Sequence, residues 1–266
     1  MSIITLTTDF GLADGYVGTM KGVILGIDPT VTIVDVSHDI APQDVREAAY
    51  VLYAAYPYFP QGSIHLVVVD PGVGSERRAI ALRTPQATFV APDNGVLSYV
   101  VAGERVEEIV HLTNLRYHLS PASRTFHGRD IFAPAAAHLA RGIRLAELGE
   151  PLTDIVTFPL PRPQVRPGGT IVGQVIYVDH FGNLITSIRL KDWPDRFPRE
   201  GVIEIKGQGI RGVANNYAEG APGKLLALIG SSDHLEIAVS GGGAAQSLEA
   251  TVGDEVLLKV EGHEDG

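Results

Sequence analysis

The run Val67-Val68-Val69-Asp70-Pro71-Gly72-Val73-Gly74-Ser75-Glu76-Arg77-Arg78 delivers a carboxylate from an apolar strand into a rigid Pro-Gly turn and follows it with two guanidiniums. A β-branched run of this kind reads as an inner strand of a parallel sheet, and the carboxyl ends of such strands face the ligand crevice of open α/β folds. An acid there can orient or deprotonate a water; the plainer alternative is that Asp70 only opens a turn, as Asp before Pro often does. Three further polar clusters favour chemistry. Thr7-Thr8-Asp9-Phe10-Gly11 closes the apolar run Ile3 to Leu6 and leads through Asp14-Gly15 into a helix carrying Met20, Val23 and Ile24. Ala91-Pro92-Asp93-Asn94-Gly95 follows the strand-like Thr88-Phe89-Val90. Thr125-Phe126-His127-Gly128-Arg129-Asp130 precedes an alanine-rich helix, Ile131 to Leu139, with Pro134 tolerated in its first turn. Asp9, Asp70, Asp93 and His127 thus stand at element ends of one sheet, as expected of an active site.

The elements that must position these groups alternate in the first half of the chain. Strands are expected at 3–8, 31–36, 63–69, 79–84, 88–91 and 107–111, with helices at 15–27, 44–57, 95–102 and 130–141. In helix 44–57, Asp44 can cap the first turn and Val45, Ala48, Ala49, Leu52 and Ala55 recur along one apolar face. Five prolines, Pro151, Pro159, Pro161, Pro163 and Pro167, mark a connector, after which only strand-like runs recur. These are 173–178, 184–188, 202–205, 225–229, 235–239 and 255–260, with glycine-rich turns between them. The expected architecture is an α/β domain with a central, mostly parallel sheet over residues 1–160, a linker at 161–169, and a smaller all-β barrel domain over 170–262.

At 266 residues, 45% hydrophobic and 20% charged, the chain can bury a sizeable core. A net charge of −10 disfavours a nucleic-acid partner, because no Lys/Arg stripe exists to neutralise phosphates. The absence of cysteine excludes disulfides and thiolate metal sites. Without a basic-apolar leader or a long apolar run, the protein is expected to be cytoplasmic and not to engage a membrane.

Taken together, Thr8-Asp9-Phe10-Gly11, Asp70-Pro71-Gly72-Val73-Gly74 with Arg77, Ala91-Pro92-Asp93-Asn94-Gly95, Thr125 to Asp130, and Val178-Asp179-His180-Phe181-Gly182-Asn183 resemble the S-adenosylmethionine hydroxide adenosyltransferases over nearly the whole chain. This family is related to halogenating enzymes that use the same substrate. The resemblance implies hydrolysis of S-adenosyl-L-methionine to adenosine and L-methionine, with no cofactor, and a water oriented by Asp70, Arg77 and His127. It also implies that Asp9 meets the ribose hydroxyls, Asp14 and Asp179 the methionine ammonium, Asn183 the adenine edge and Ser231 the methionine carboxylate, with Phe126 as an apolar wall. Asn94 and Phe181 complete the implied substrate-binding set. In the halogenating relatives a tyrosine matches Asp70 and a serine matches Gly128, so this chain falls on the water-using side. Gln43 replaces a stacking aromatic, and Ser240 stands where asparagine is frequent. The resemblance further implies a homotrimer in which the α/β domain supplies the water-activating residues and a neighbouring subunit's barrel completes the nucleoside and methionine site.

The sulfonium leaves without protonation, so the protein's task lies with the nucleophile: hold water in line behind the 5′ carbon and relieve it of a proton. His127 can accept that proton, Asp70 can orient the water or the imidazole, and Arg77 can stabilise developing hydroxide and keep Asp70 ionised. The order of transfer among them is open. Taken without the resemblance, Arg77 and Arg78 read as a solvated pair, and His38, His65, His111, His118, His138 and His234 are taken as structural or surface residues. The rival readings are a metal-dependent hydrolase of a nucleotide or phosphoester using Asp9, Asp14, Asp70, Asp93, Asp130 and His127, a halogenase, and a non-catalytic nucleoside sensor. A dinucleotide enzyme lacks the third glycine its fingerprint needs after Gly72-Val73-Gly74.

Overall fold

Apolar runs bounded by polar turns become the strands of the first of two units, Met1–Pro159, the second being Leu160–Gly266. The computed structural model describes residues 2–192 and 201–259. In the first unit, β1 (Ile3–Thr8), β2 (Thr32–Ser37), β3 (Ser63–Val68), β4 (Ala79–Arg83), β5 (Ala87–Pro92), β6 (Glu108–His111) and β7 (Glu150–Pro151) form one mixed sheet in the order β2-β1-β3-β5-β4-β6-β7. The first four in that order are mutually parallel, and the other three are joined antiparallel. Parallel strands place their carboxyl ends on one edge, so the turns after β1, β2, β3 and β5 gather there.

Alternation along the strands divides the core. Ile4, Leu6, Ile64, Leu66 and Val68 share one buried cluster with Met20 and Ile24 of α1 (Tyr16–Ile27) and with Phe132 and Ala136. Each fully buried side chain of this size contributes about 1.5–3 kcal/mol. His65 points the other way and lies among the rings of Tyr56, Phe59 and Phe89. Helix α2 (Val45–Ala55) starts where Asp44 accepts the N–H groups of Arg46 and Glu47, and it buries Ala48, Ala49 and Leu52. A short α3 (Ser98–Gly103) follows β5, and α4 (Ala133–Ala140) packs on α1 through small buried residues, Ala133 and Ala135 to Ala137.

In the second unit, β8 (Gln164–Val165) pairs with β9 (Ile171–Val178), and β10 (Leu184–Arg189), β11 (Val202–Ile205), β12 (Gln208–Arg211), β13 (Leu225–Ile229), β14 (His234–Val239) and β15 (Glu255–Lys259) complete an antiparallel sheet ordered β12-β11-β15-β9-β10-β14-β13. Its edges approach where Ala214, just after β12, bridges Leu228 of β13, which nearly closes a barrel. Period-two alternation points Ile203 and Ile205, Leu235 and Ile237, and Val256 and Leu258 into its core.

Several details depart from the sequence reading. Helix 130–141 is a single π turn, Gly128–Phe132, running into α4, with Pro134 in the first turn of α4. Residues 95–97 form a turn closed by Ser98 N–H to Gly95 O, so α3 starts later than expected. The second half is not purely strands, because Ala244–Leu248 folds as a short helix, α5. Strand β12, rich in glycine and charge, carries too little apolar signal to be read in advance. Val260, at the end of the expected 255–260 strand, and the 260–262 end of the expected barrel lie outside the described residues. Among the described residues, no helix is long and apolar enough to cross a membrane.

Candidate active site

Asp70 stands two residues beyond β3, the strand flanked by parallel neighbours on both sides, and the turn after it is closed by Val73 N–H to Asp70 O at 3.2 Å. Gly74 then bends the chain back at φ +76°, and a Cβ there would lie 2.3 Å from Arg124 O, so this close approach demands glycine. The fold-back brings Arg77 onto Asp70 as a bidentate pair, Nε to Oδ1 at 3.0 Å and Nη2 to Oδ2 at 2.5 Å, with side chains 7% and 5% exposed. The guanidinium also lies over the buried Phe132 ring, its Cζ 5.3 Å from the centroid. The π turn sets His127 at the opening of the helical segment that runs into α4, where its Nδ1 is 3.0 Å from Arg77 Nη2.

Asp70, His127, Phe126 and Asp9 line one cavity of about 380 Å³ together with Phe10, Tyr16, Gln43, Val73 and Gly128. Phe10, Tyr16 and Phe126 form an aromatic wall with centroids 5.2 to 6.0 Å apart. Burial pushes the Asp70 carboxyl above its ordinary range, against the pull of Arg77, His127 and the Gly72 N–H. Burial, reinforced by the Arg77 charge, lowers His127, and Asp70 only partly opposes this. Because a guanidinium only donates, Nδ1 of His127 is an acceptor and the neutral ring carries its proton on Nε2. Arg77 thus engages His127 Nδ1 as well as both oxygens of Asp70, and Asp70 and His127 both line the cavity. Such a pairing of anion, cation and imidazole can hold a water and accept its proton as it attacks an electrophile.

The other expected residues distribute as follows. Asp9 faces the cavity with Oδ2 already accepting Gln43 N–H at 2.8 Å, so bidentate ribose binding would share that oxygen. Asp14 is exposed in the loop before α1 and lies outside the lining. Asn94 is engaged structurally, its Nδ2 donating to Val69 O at 2.9 Å and its Oδ1 accepting Val96 N–H at 3.2 Å, which ties the ends of β3 and β5. In the second unit, Asp179 closes the β9–β10 turn, accepting from Phe181 N–H, Asn183 N–H and Asn183 Nδ2 at 2.8 to 2.9 Å. That turn leaves Phe181 75% exposed and buries Asn183. Ser231 is exposed in the turn between β13 and β14.

Three carboxylates of the metal-hydrolase reading are held apart, each by its own arginine: Asp70 by Arg77, Asp93 by Arg78 and Asp130 by Arg129. Arg78 is no freely solvated residue, since it bridges the buried Asp93 to the exposed Asp154. Burial pushes Asp130 up, but Arg129 and the Ser123 N–H outweigh it and hold the carboxyl low. Among the described residues, no group of three His, Cys, Asp or Glu is disposed to hold a metal ion.

Comparison with known proteins fits this geometry. Residues 4–149 match the SAM hydroxide adenosyltransferase N-terminal domain and residues 173–257 the corresponding C-terminal domain. The chain belongs to the SAM hydroxide adenosyltransferase family. It is 43% identical over 259 residues to the (R)-S-adenosyl-L-methionine hydrolase of Salinispora tropica, covering 96% of this chain and 97% of that protein. It is 34% identical over 216 residues to a fluorinase of Actinoplanes, covering 71% of this chain and 72% of that enzyme. Among solved structures, an uncharacterized conserved protein from Thermotoga maritima superposes with a TM-score of 0.90 at 38% identity, covering 97% of this chain and all of that one.

In this SAM hydroxide adenosyltransferase chain the sequence reading missed Phe10, Tyr16 and Val73 as lining residues. The signal available was position: Phe10 and Tyr16 flank the Asp9 turn, and Val73 sits between the two glycines after Asp70. Gln43 had been noted only as a replacement, whereas its backbone N–H fixes Asp9 from a left-handed conformation at φ +68°.

Proposed function

We propose that this protein hydrolyses S-adenosyl-L-methionine to adenosine and L-methionine. The observation that carries the reading is the Asp70–Arg77–His127 constellation on a cavity of about 380 Å³, in a chain of this family that is 43% identical to a protein named for that hydrolysis. A water held by Asp70 and by His127 Nε2–H attacks the 5′ carbon in line with the sulfonium. The C5′–S electron pair returns to sulfur, which leaves as the neutral thioether of methionine, and the water's proton passes to Asp70 and then to solvent. Arg77 holds Asp70 in place and offsets the negative charge that develops on the attacking oxygen.

The binding roles that the resemblance implies for Asp9, Asp14, Asn94, Phe126, Asp179, Phe181, Asn183 and Ser231 belong to the same proposal. So do a homotrimeric assembly, a cytoplasmic location, a small-molecule substrate without nucleic-acid or membrane partners, and a reaction needing no cofactor or metal. The test is incubation of the pure protein with S-adenosyl-L-methionine in molar chloride and in excess chelator, with products resolved by chromatography. Equimolar adenosine and methionine in both conditions is the expected result. A dominant 5′-chloro product, or activity lost to the chelator, would overturn the assignment to metal-free hydrolysis, and intact substrate would point to a binding protein.

A further inference from the structure

His38 holds the loop that carries Asp9 and Phe10 into the cavity. It follows β2, whose last residue, Ser37, is in register with Thr7 of the neighbouring β1. Its side chain is buried, and Nδ1 lies 2.8 Å from the hydroxyl of the fully buried Thr8. On the far side, Nε2 stands 3.0 Å from Asp35 Oδ1, off the line of a well-aligned hydrogen bond. Asp35 is anchored in turn by Lys21 Nζ at 2.6 Å.

The direction of this chain follows from its ends. A carboxylate oxygen beside Nε2 favours the ring proton there, which leaves Nδ1 bare and makes the Thr8 hydroxyl its donor. The Thr8 oxygen is then free to accept, and Phe10 N–H lies 3.3 Å from it. The same residue holds the loop a second time, because His38 O accepts Gly11 N–H at 2.8 Å. Asp9 lies between these two anchors. Its side chain receives a third from Gln43, five residues further along the same connection from β2 to α2.

We propose that His38 is a positioning residue: through Thr8 and the Gly11 N–H it sets the Asp9–Phe10 turn, and so controls the grip on substrate and not the chemical step. The inference rests on S-adenosyl-L-methionine being the substrate. Asp9 is hydrogen-bonded to Gln43 and the Phe10 N–H to Thr8, not to the Asp70–Arg77–His127 group, so loosening them should act on ground state and transition state alike.

The experiment compares Thr8→Val, which removes only the hydroxyl, with His38→Ala and His38→Asn, whose amide can still meet Thr8. Steady-state kinetics, thermal midpoint, and amide exchange at Phe10 and Gly11 without substrate are measured on the whole chain. The expected result is a KM raised about five- to thirtyfold in Thr8→Val and His38→Ala, the range for breaking a buried hydrogen bond, with kcat within about twofold. Exchange at Phe10 and Gly11 should quicken in both, and His38→Asn should recover most of the KM. Unchanged KM and exchange in a folded Thr8→Val would overturn the inference. So would a fall in kcat that tracks the thermal midpoint across the three variants. A wild-type protein that leaves S-adenosyl-L-methionine untouched defeats the functional reading instead, and the claim on KM with it, whereas the exchange data judge the brace by itself.

Discussion

His127 Nδ1 accepts a hydrogen bond from Arg77 Nη2 across 3.0 Å, and the same guanidinium holds both oxygens of Asp70. In the proposed mechanism His127 offers Nε2–H as a donor and Asp70 is the base. Asp70→Asn is therefore expected to lower kcat by about 10²- to 10⁴-fold with KM little changed, the range for loss of general-base assistance. His127→Ala, which removes a donor to the water, should cost less, about 10- to 100-fold. Single-turnover rates of the two variants check this, and a larger loss in His127→Ala would return the base to the imidazole.

The pH profile follows from the same pair. Activity requires Asp70 charged and His127 able to accept from Arg77, hence neutral. Burial raises the Asp70 carboxyl above its ordinary range and lowers His127 below its own, so the two groups are moved toward each other. As pH falls, Asp70 gains a proton and His127 becomes charged, and each change removes activity. kcat/KM should therefore fall in an acid limb as pH drops. A profile still rising above pH 7 would contradict the assignment.

Gly128 bears on the shape of the reaction centre. A Cβ there would meet Met20 Sδ and Phe126 Cε2 at 3.2 Å and Val68 Cγ1 at 3.4 Å. Gly128→Ala must shift the Phe126 ring or the Met20 side chain, at a cost of about 1–3 kcal/mol for overpacking a filled site. Denaturant unfolding should show that loss, accompanied by a lower kcat as the aromatic wall moves. Full activity at unchanged stability would mean the neighbours yield freely.

Asp93 belongs to a structural network. Its side chain is 1% exposed, paired with Arg78 and accepting Val156 N–H at 2.8 Å. Arg78→Met leaves a buried carboxylate without its cation and should destabilise the fold by about 3 kcal/mol, while kcat at a temperature where the variant is folded stays unchanged. A selective loss of kcat would bring Asp93 back into the chemistry.

Acid stability depends on two buried histidines, His65 in the first unit and His234 in the second, both held down to about 4 by burial. Below the ordinary 6.5 the unfolded chain binds protons that the folded chain refuses until near 4, so stability is complete above that window and is lost as pH falls through it. Each contributes up to about 3 kcal/mol to that loss. His65→Leu should flatten the fall in unfolding free energy between pH 6 and 4.5, measured against wild type; an unchanged slope would assign the acid sensitivity elsewhere.

Much of this was legible in the residues. Apolar runs ending in Asp9, Asp70 and Asp93 announced strand ends, and three of the four motifs of the first unit, those of Asp9, Asp70 and His127, located the cavity lining, whereas the Asp93–Asn94 turn lies outside it. Asp44 was readable as a cap because capping is a local bond. The pairings were not readable. Arg77 and Arg78 are neighbours in sequence, yet one faces Asp70 and His127 and the other Asp93 and Asp154, a division made by the fold-back at Gly74 against Arg124 O. Neither could the sequence tell that Asn94 gives its amide to Val69 or that His38 braces Thr8. Residue type and spacing fix what each group can do along its own strand or turn. Which donor meets which acceptor across 30 to 60 residues is set only when the sheet order and the close approach of turns bring them within 3 Å, as they do for Thr8 with His38 and for Arg77 with His127.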